Sequence, residues 1–308
     1  MISRYQEVRK LSVNPLDHPR GLSFLSAASG LVRVRSRFCV VADDELHLGV
    51  FEVGSLAPLR LVRLFEGELP SDPVERKASK PDLEALLVLP ASADAPCGAL
   101  LALGSGSRRN RFAGALISLD DARDVLGGVA RPVDLEPLYR GLATRFEALD
   151  IEGAFVVGEE LVLLQRGHKR GPNATVRFDL APVMAWVMGG QTAPLRPTAI
   201  REFDLGTADG VPFSFTDGAA LPDGAWLFSA VAEDTDSSYA DGPCVATMIG
   251  SVNRDGALQA THRLLPTRKI EGIEARVLGD AIEISMVSDA DDPGCPAEFG
   301  VARMSIRP

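Results

Sequence analysis

The sequence predicts an all-β fold, a β-propeller of four-stranded blades, from three observations. The 308 residues include 29 glycines and 21 prolines, a content too rich in turn formers for a helical bundle, and 46% are hydrophobic, which suffices for a large core. Short β-rich runs alternate with turns containing Gly, Asp or Ser along the whole chain. One phrase, in which an acidic residue precedes a small residue and an apolar strand, occurs four times. We therefore predict one propeller domain over residues 1–308.

The repeated phrase sets the length of the repeating unit. We align its acidic residues as Glu84, Glu152, Asp217 and Glu271, so successive copies lie 68, 65 and 54 residues apart. These spacings are typical of propeller blades with enlarged loops. The four copies read KPDLEALLVLP (80–90), LDIEGAFVVGEEL (149–161), FTDGAALPDGAWL (215–227) and KIEGIEARVLGDAI (269–282).

The strand runs divide into about five blades, and a sixth stays open within residues 14–70. The first blade has no acidic phrase, and PRGLS (19–23) stands in its place. The second ends near VDLEPLYRG, with a helical turn possible at 120–126, and the third includes TVRFDLAPV as a strand. Only three strands remain for the last blade, so we expect the N-terminal strand to complete it and leave no free sheet edge. A pair of β-sandwiches is the competing fold, but it does not explain the period.

Composition limits the classes of partner that the protein is expected to bind. The net charge of −10 argues against nucleic acid or an anionic membrane, because both favour basic surfaces. Four well-separated cysteines give neither a zinc motif nor a disulfide framework. The N-terminus has no apolar signal region and no stretch approaches about 18 apolar residues, so we expect a cytoplasmic protein. The expected partner is a small polar or anionic molecule or a cation, and a protein partner stays possible.

Two sets of loops are expected at the same mouth of the channel. In a propeller, the loop leading into each inner strand and the loop joining the second and third strands open on one face. The first set carries the repeated carboxylates, together with Asp82 and Asp150. The second set is also polar and spans 43–45, 104–111, 165–173, 232–242 and 288–294.

Converging carboxylates would repel one another unless a cation or a basic side chain lies between them, and flexible oxygen ligands suit Ca²⁺. The predicted metal ligands are Glu84, Glu152, Asp217 and Glu271. Two neighbouring basic loops predict an anion site, because guanidinium groups match phosphate and carboxylate oxygens. Its residues are Arg108, Arg109, Arg166, Lys169 and Arg170. With Glu152 and His168 as candidate catalytic residues, this set predicts metal-assisted hydrolysis of a phosphoric or carboxylic ester.

Two other interpretations use the same residues without catalysis. Each acidic residue can bind backbone amides of the neighbouring blade and so hold the ring together. Alternatively, salt bridges between Glu152, Glu271 and Arg166 or Arg108 can fill the channel, which would leave a scaffold or a ligand-binding module.

The phrases DLEAL, DIEGA and KIEGI, with LLQRG and MVSDADD, resemble uncharacterised bacterial proteins of the phytase-like β-propeller group. The true propeller phytases of that group are six-bladed, bind several calcium ions in the channel and hydrolyse phytate. The resemblance implies that Glu84, Glu152, Asp217 and Glu271 are channel ligands, and that Arg108, Arg166 and Lys169 contact phosphate. Ala85 stands where the phrase usually has Gly.

Overall fold

The computed structural model describes residues 2–120, 125–126, 128–167, 171–189, 194–234 and 242–306. Within these ranges the strands form five antiparallel sheets. The inner strand of each sheet contacts the inner strands of the two neighbouring sheets, so the sheets close into a ring. The predicted propeller is confirmed, and it has five blades.

The strands follow the predicted runs closely. Blade 1 contains β2 (Ala28–Val34), β3 (Arg37–Ala42), β4 (His47–Glu52) and β5 (Arg60–Arg63). Blade 2 contains β6 (Leu83–Leu89), β7 (Ala99–Gly104), β8 (Ala113–Ser118) and β9 (Ala130–Asp134). Blade 3 contains β10 (Ile151–Val157), β11 (Glu160–Gln165), β12 (Asn173–Asp179) and β13 (Ala199–Phe203). Blade 4 contains the short β14 (Thr207–Ala208), then β15 (Val211–Ala220), β16 (Trp226–Glu233), β17 (Cys244–Val252) and β18 (Leu258–Arg263). Blade 5 contains β19 (Ile270–Leu278), β20 (Ala281–Ser288), β21 (Glu298–Ser305) and β1 (Gln6–Lys10).

The N-terminal strand closes the ring, as predicted. Strand β1 pairs antiparallel with β21, so that Gln6 lies opposite Val301. The chain then crosses to blade 1, where the Leu59 amide donates to the Ser12 carbonyl over 2.7 Å. Strand β1 thus covers the outer edge of β21, which would otherwise expose unpaired backbone groups.

Within the described residues, three short α-helices lie outside the sheets: α1 (Pro73–Ser79), α2 (Glu136–Arg145) and α3 (Leu180–Gly189). Two correct the predicted strands, because VDLEPLYRG ends in α2 and the second half of TVRFDLAPV begins α3. Each of these helices buries an apolar face, and a short apolar run does not by itself distinguish a strand from a buried helix. The helical turn predicted at 120–126 falls mostly on residues 121–124, which lie outside the described residues. In the described part of the chain, no helix is long and apolar enough to cross a membrane.

The core consists of five apolar clusters that lie between successive blades. Helices α2 and α3 extend the cluster between blades 2 and 3. The cluster between blades 3 and 4 is aromatic, with fully buried Trp226 next to Phe155, Phe215 and Phe228. Burial of such side chains is the main favourable term that holds neighbouring blades together.

Glycines at the start of the inner strands allow neighbouring backbones to touch. A Cβ on Gly30 of β2 would lie 2.6 Å from the Leu86 backbone nitrogen of β6, and a Cβ on Gly153 of β10 would lie 2.8 Å from the Asp217 Cα of β15. Gly272 of β19 likewise faces the backbone of blade 1. Glycine is required at position 30 because two backbones approach each other there, and not because of a positive φ or a turn.

We expect Gly30→Ala to destabilise the protein by about 1–3 kcal/mol, because the added methyl group would force β2 away from β6. Chemical denaturation of the purified variant measures this change. Gly141→Ala is the matched control: Gly141 lies in α2 with no atom within 4 Å of an added Cβ, so alanine there is expected to be neutral or stabilising by up to about 1 kcal/mol. Equal stability of the two variants would show that the inner strands are not in close contact.

Candidate functional site at the channel mouth

The repeated acidic residue is a β-bulge. In blades 2, 3 and 5 the pairing between the first two strands skips Glu84, Glu152 and Glu271, each of which is the extra residue of its inner strand. A bulged residue is released from the ladder and its side chain is turned away from the regular pleat. The repeat seen in sequence therefore marks a structural device at the same place in three blades.

The register also corrects the alignment of the other two blades. In blade 4 the skipped residue is Thr216, so Asp217 is equivalent to Gly153 and Gly272 rather than to the three glutamates. In blade 1 the corresponding irregularity lies at Ser29 and Gly30, and not at PRGLS. Thr216 and Ser29 each follow an apolar residue and precede a small or short one, but neither is acidic. Because the repeated phrase was aligned on its acidic residue, the sequence did not reveal these two positions.

Both carboxylate oxygens of Asp217 accept hydrogen bonds from backbone amides, so neither is free to face the other carboxylates. Its Oδ1 accepts a hydrogen bond from the Gly218 amide (2.7 Å), and its Oδ2 accepts one from the Ile273 amide of blade 5 (2.8 Å). Burial raises the pKa of Asp217 well above its usual range, although these two amides act to lower it. This arrangement matches the interpretation in which an acidic residue ties neighbouring blades together.

One charged cluster joins blades 1 and 2 at the mouth. Lys80 contacts Asp43 from the loop between β3 and β4, and its Nζ lies 2.9 Å from Asp82. Asp82, at φ +58° in the left-handed region, also accepts hydrogen bonds from Arg111 Nη1 and Ser105 Oγ, both at 2.6 Å. Carboxylate oxygens of Asp43, Asp82 and Glu84 lie within 4.8 Å of one another. Glu84 forms no ion pair with a described Lys, Arg or His residue, so its charge is the least compensated of the three.

A second cluster runs through blades 3, 4 and 5. The Arg166 guanidinium lies between Glu152, at 3.3 Å, and Glu233 at the end of β16. Lys269 Nζ lies 3.3 Å from Glu233, 3.4 Å from Glu271 and 2.5 Å from Asp291. The predicted salt bridge between Glu152 and Arg166 is therefore present, whereas Glu271 is paired by Lys269, which the sequence analysis did not single out.

The two clusters are parts of one mouth. Glu152 is among the charges that perturb Glu84, and Asp43 is among those that perturb Asp289 across the seam between blades 5 and 1. A cavity of about 160 Å³ opens on that seam between Asp43 and Asp291. The prediction that both sets of loops meet at one face is thus fulfilled by the contacts of the described residues.

Acidic groups outnumber basic groups at this mouth. The four basic groups in contact with the carboxylates are Lys80, Arg111, Arg166 and Lys269. The nine carboxylates of the two clusters and their linking loops are Asp43, Asp82, Glu84, Asp150, Glu152, Glu233, Glu271, Asp289 and Asp291. Among the described residues, nine carboxyl groups thus meet four basic groups at the mouth.

The crowding appears as raised carboxyl pKa values. Burial, with Glu152 and Asp82 nearby, raises the pKa of Glu84 well above its usual range. Burial likewise raises the pKa of Asp43 to about 6 and that of Glu271 to about 7, although Lys80 and Lys269 act to lower them. Each of these carboxyls would gain from a nearby cation, since a cation favours the ionised form.

The remaining predicted residues are only partly at the mouth. Arg109 is exposed, forms an ion pair with Glu136 of α2 and lies over the Phe112 ring at 5.1 Å. Arg108 is exposed in the same loop, while Arg111, three residues on, is the arginine that turns inward. His168, Lys169 and Arg170 lie outside the described residues.

Sequence reasoning missed Lys80, Lys269 and Glu233 as members of the site. Both lysines stand within the repeated phrase, in KPDLE and KIEGI, just before the acidic residue. Their position in two of the four copies was the available signal. Glu233 lies in the polar segment 232–242 that was predicted to face the mouth, but nothing in the sequence distinguished it from the other acidic residues there.

A family model covers residues 76–293, from α1 to the loop after β20. The chain belongs to this family, DUF6910, a family of unknown function. The family match includes both charged clusters except for Asp43. No curated protein matches the sequence.

Solved structures similar to this DUF6910 chain include MPT-4, a mannose phosphorylase from Leishmania mexicana determined in complex with phosphate ion. That match has 12% identity, covers 98% of this chain and 89% of the other, and has a TM-score of 0.49. A hypothetical protein from Leishmania major matches at 11% identity over 98% and 91% of the two chains, with a TM-score of 0.44. The Dos1 propeller matches at 13% identity and a TM-score of 0.37; the match covers 96% of this chain but only 61% of that one. These similarities concern the fold and not the activity.

Without added metal, we expect stability to fall as the pH rises from about 5 to about 7.5. In this window the folded protein holds protons on carboxyls such as Asp43 and Glu271 that the unfolded chain has released, since their ordinary pKa values lie near 4. Stability therefore decreases with pH, on the order of 2 kcal/mol for a carboxyl of this kind. Burial lowers the pKa of His47 and His262, which act in the opposite direction but are two groups against at least six raised carboxyls.

Urea denaturation in EDTA at the two pH values measures this slope. Glu271→Gln is expected to flatten it, while Glu283→Gln, on β20 beside Arg303, should leave it unchanged. A stability that rises over the same window would contradict the crowded mouth.

Proposed function

We propose that the channel mouth binds a divalent cation, and beside it a small polar or anionic ligand. The observation that carries the proposal is the surplus of carboxylates over basic groups around one axis. The donors are oxygen atoms at varied spacing, which suit Ca²⁺ better than a transition metal.

Asp43, Asp82 and Glu84 fit such an ion best. Their oxygens lie within one coordination sphere of each other, and Glu84 has no basic partner among the described residues. Lys80 contacts both aspartates, so the ion would bind on the Glu84 side or displace the ammonium group. Glu152 and Glu271 are held by Arg166 and Lys269, and would act as the wall of the site rather than as its first ligands.

The proposed ligand has room in a cavity of about 540 Å³ next to the mouth. It lies between blades 4 and 5 and is lined by Lys269 and Asp291, with Lys10, Arg268 and Glu298 at its other side. This volume is within the range of small-molecule pockets. The lysine and arginine side chains of this cavity would orient a carboxylate or phosphate group of the ligand toward the bound divalent cation.

Hydrolysis of a phosphoric or carboxylic ester is the finer form of this proposal, and the resemblance to phytase-like propellers agrees with it. Burial raises the pKa of Glu152 well above its usual range, with Asp150 and Glu271 adding to the effect and Arg166 opposing it. Such a carboxyl can hold or move a proton near neutral pH. A bound cation would polarise the ester oxygen.

The alternative is a non-catalytic ligand-binding or interaction scaffold. The continuous ion pairs from Glu152 through Arg166, Glu233 and Lys269 to Asp291 favour it, because they fix one side of the mouth without a metal.

Calcium at millimolar concentration is expected to raise the melting temperature of the EDTA-treated protein at about pH 7.5, while equal Mg²⁺ does so less. A ligand at about 100 times its Kd stabilises the folded state by about 2.7 kcal/mol. Glu84→Gln should melt higher than wild type without metal, because it removes a buried carboxyl that is costly to ionise, and should lose most of the calcium response. Glu283→Gln should behave as wild type. If wild type shows no calcium response, the cation proposal fails and the scaffold stands.

Turnover separates the enzyme from the scaffold. With p-nitrophenyl phosphate and p-nitrophenyl acetate as probes, the enzyme should release product in a calcium-dependent manner. Glu152→Gln should lower the rate by about 100-fold or more while the protein remains folded. Calcium binding without product release from either ester would instead assign the mouth to ligand binding alone.

A further inference from the structure

A second cleft lies between blades 3 and 4, away from the mouth. It encloses about 280 Å³, and Trp226 forms part of its lining at the start of β16. Strand β16 reaches the mouth only at Glu233, seven residues later, which is about 23 Å at the usual rise of a strand. The cleft is therefore separate from the proposed cation site.

One wall of the cleft is built by the pairing of β12 and β13. Thr175 lies opposite Arg201, and Arg177 lies opposite Ala199. Because directly opposed residues and those two positions away share a sheet face, these side chains project on the same side, toward blade 4. Two guanidinium groups thus come from adjacent strands of one rigid sheet.

The other wall is the turn between β17 and β18. The Asn253 side chain accepts hydrogen bonds from the Asp255 amide (3.1 Å) and the Ala257 amide (2.8 Å), which fixes the turn. Arg254 stands in this turn and lines the cleft. Gly256 has φ +80°, and a Cβ there would come within 2.6 Å of Arg201 Nη1.

Arg201 links the two walls. Its Nη1 donates to the Asp255 carbonyl across the cleft at 3.0 Å, and its guanidinium lies 5.8 Å from the Phe203 ring centroid. These contacts orient the group and leave its charge uncompensated. The absence of a side chain at Gly256 is what allows this approach.

The charges in the cleft are mainly positive. Arg177, Arg201 and Arg254 face a single lining carboxylate, that of Asp255. Glu160 pairs with Arg177, but within the described ranges no carboxylate forms an ion pair with Arg201 or Arg254. Counting Glu160 and Asp255 against the three arginines leaves one positive charge in excess, in a chain whose net charge is −10.

We propose that this cleft binds a small oxyanion, a phosphate or carboxylate group, between Arg201 and Arg254. Guanidinium groups present paired N–H donors that match two oxygens of such an anion. Thr175 can add a hydroxyl donor, and the half-buried Phe203 ring beside Arg201 forms an apolar side of the cleft. The volume admits an oxyanion with a small body and excludes a large ligand.

Isothermal titration calorimetry with inorganic phosphate, and separately with acetate, tests the proposal at constant ionic strength in chloride. Arg254→Gln should weaken binding by about tenfold or more, as expected for the loss of a charge-assisted hydrogen bond. Arg303→Gln, an exposed arginine of β21 paired with Glu283, is the matched control and should bind as wild type. Binding of phosphate but not acetate would assign the cleft to phosphoryl groups, and the reverse result to carboxylates.

A local readout comes from Trp226, one of the two tryptophans. In a Trp186→Phe background its fluorescence reports this cleft, and phosphate or acetate should change the emission with the same affinity as the titration. Glu84→Gln should leave this binding unchanged, so the outcome does not depend on the cation site. The proposal is overturned if neither anion changes the Trp226 emission, or if that change persists in both Arg254→Gln and Arg201→Gln.

Discussion

Five inner strands must meet around one axis, and the backbone contact between them constrains the rest of the molecule. The contact leaves no room for a Cβ at Gly30, Gly153 or Gly272. The bulge that immediately precedes or includes these glycines releases one residue per strand from the regular ladder. Where that residue is glutamate, its carboxylate is directed to the mouth. The geometry that closes the ring therefore also concentrates negative charge at one end of it.

The carboxylates at the mouth are paired with basic residues differently on its two sides. On the side of blades 3 to 5, Arg166 and Lys269 each lie between carboxylates and form a continuous line of ion pairs. On the side of blades 1 and 2, Lys80 and Arg111 satisfy Asp82, but Glu84 lacks an equivalent partner among the described residues. Removing one charge from a paired buried network is costly, whereas removing an unpaired one is not. The second side is consequently the one with capacity for an added cation.

The cleft between blades 3 and 4 has a different structural origin. Neighbouring blades diverge away from the axis, so their outer strands leave space that side chains must fill. Between blades 3 and 4, Trp226 and its aromatic neighbours fill the inner part, and arginines from both blades surround the outer part. Two chemically opposite regions thus coexist on one ring: an acidic mouth on the axis and a basic cleft toward the rim.

The sequence by itself determined the blade architecture, the closing strand β1 and the loops that form the mouth, because the repeat and the alternation of short strands can be read along the chain. It left five or six blades open, and the pairing of the strands decided for five. It also placed Glu84, Glu152 and Glu271 at one structural position. Only the tertiary structure decided that Thr216 rather than Asp217 shares that position, since a bulge is defined by the register against a second strand. Tertiary structure likewise decided which lysine or arginine meets which carboxylate, and brought Arg201 to Arg254, because these contacts join segments that are far apart in sequence and depend on how the blades close.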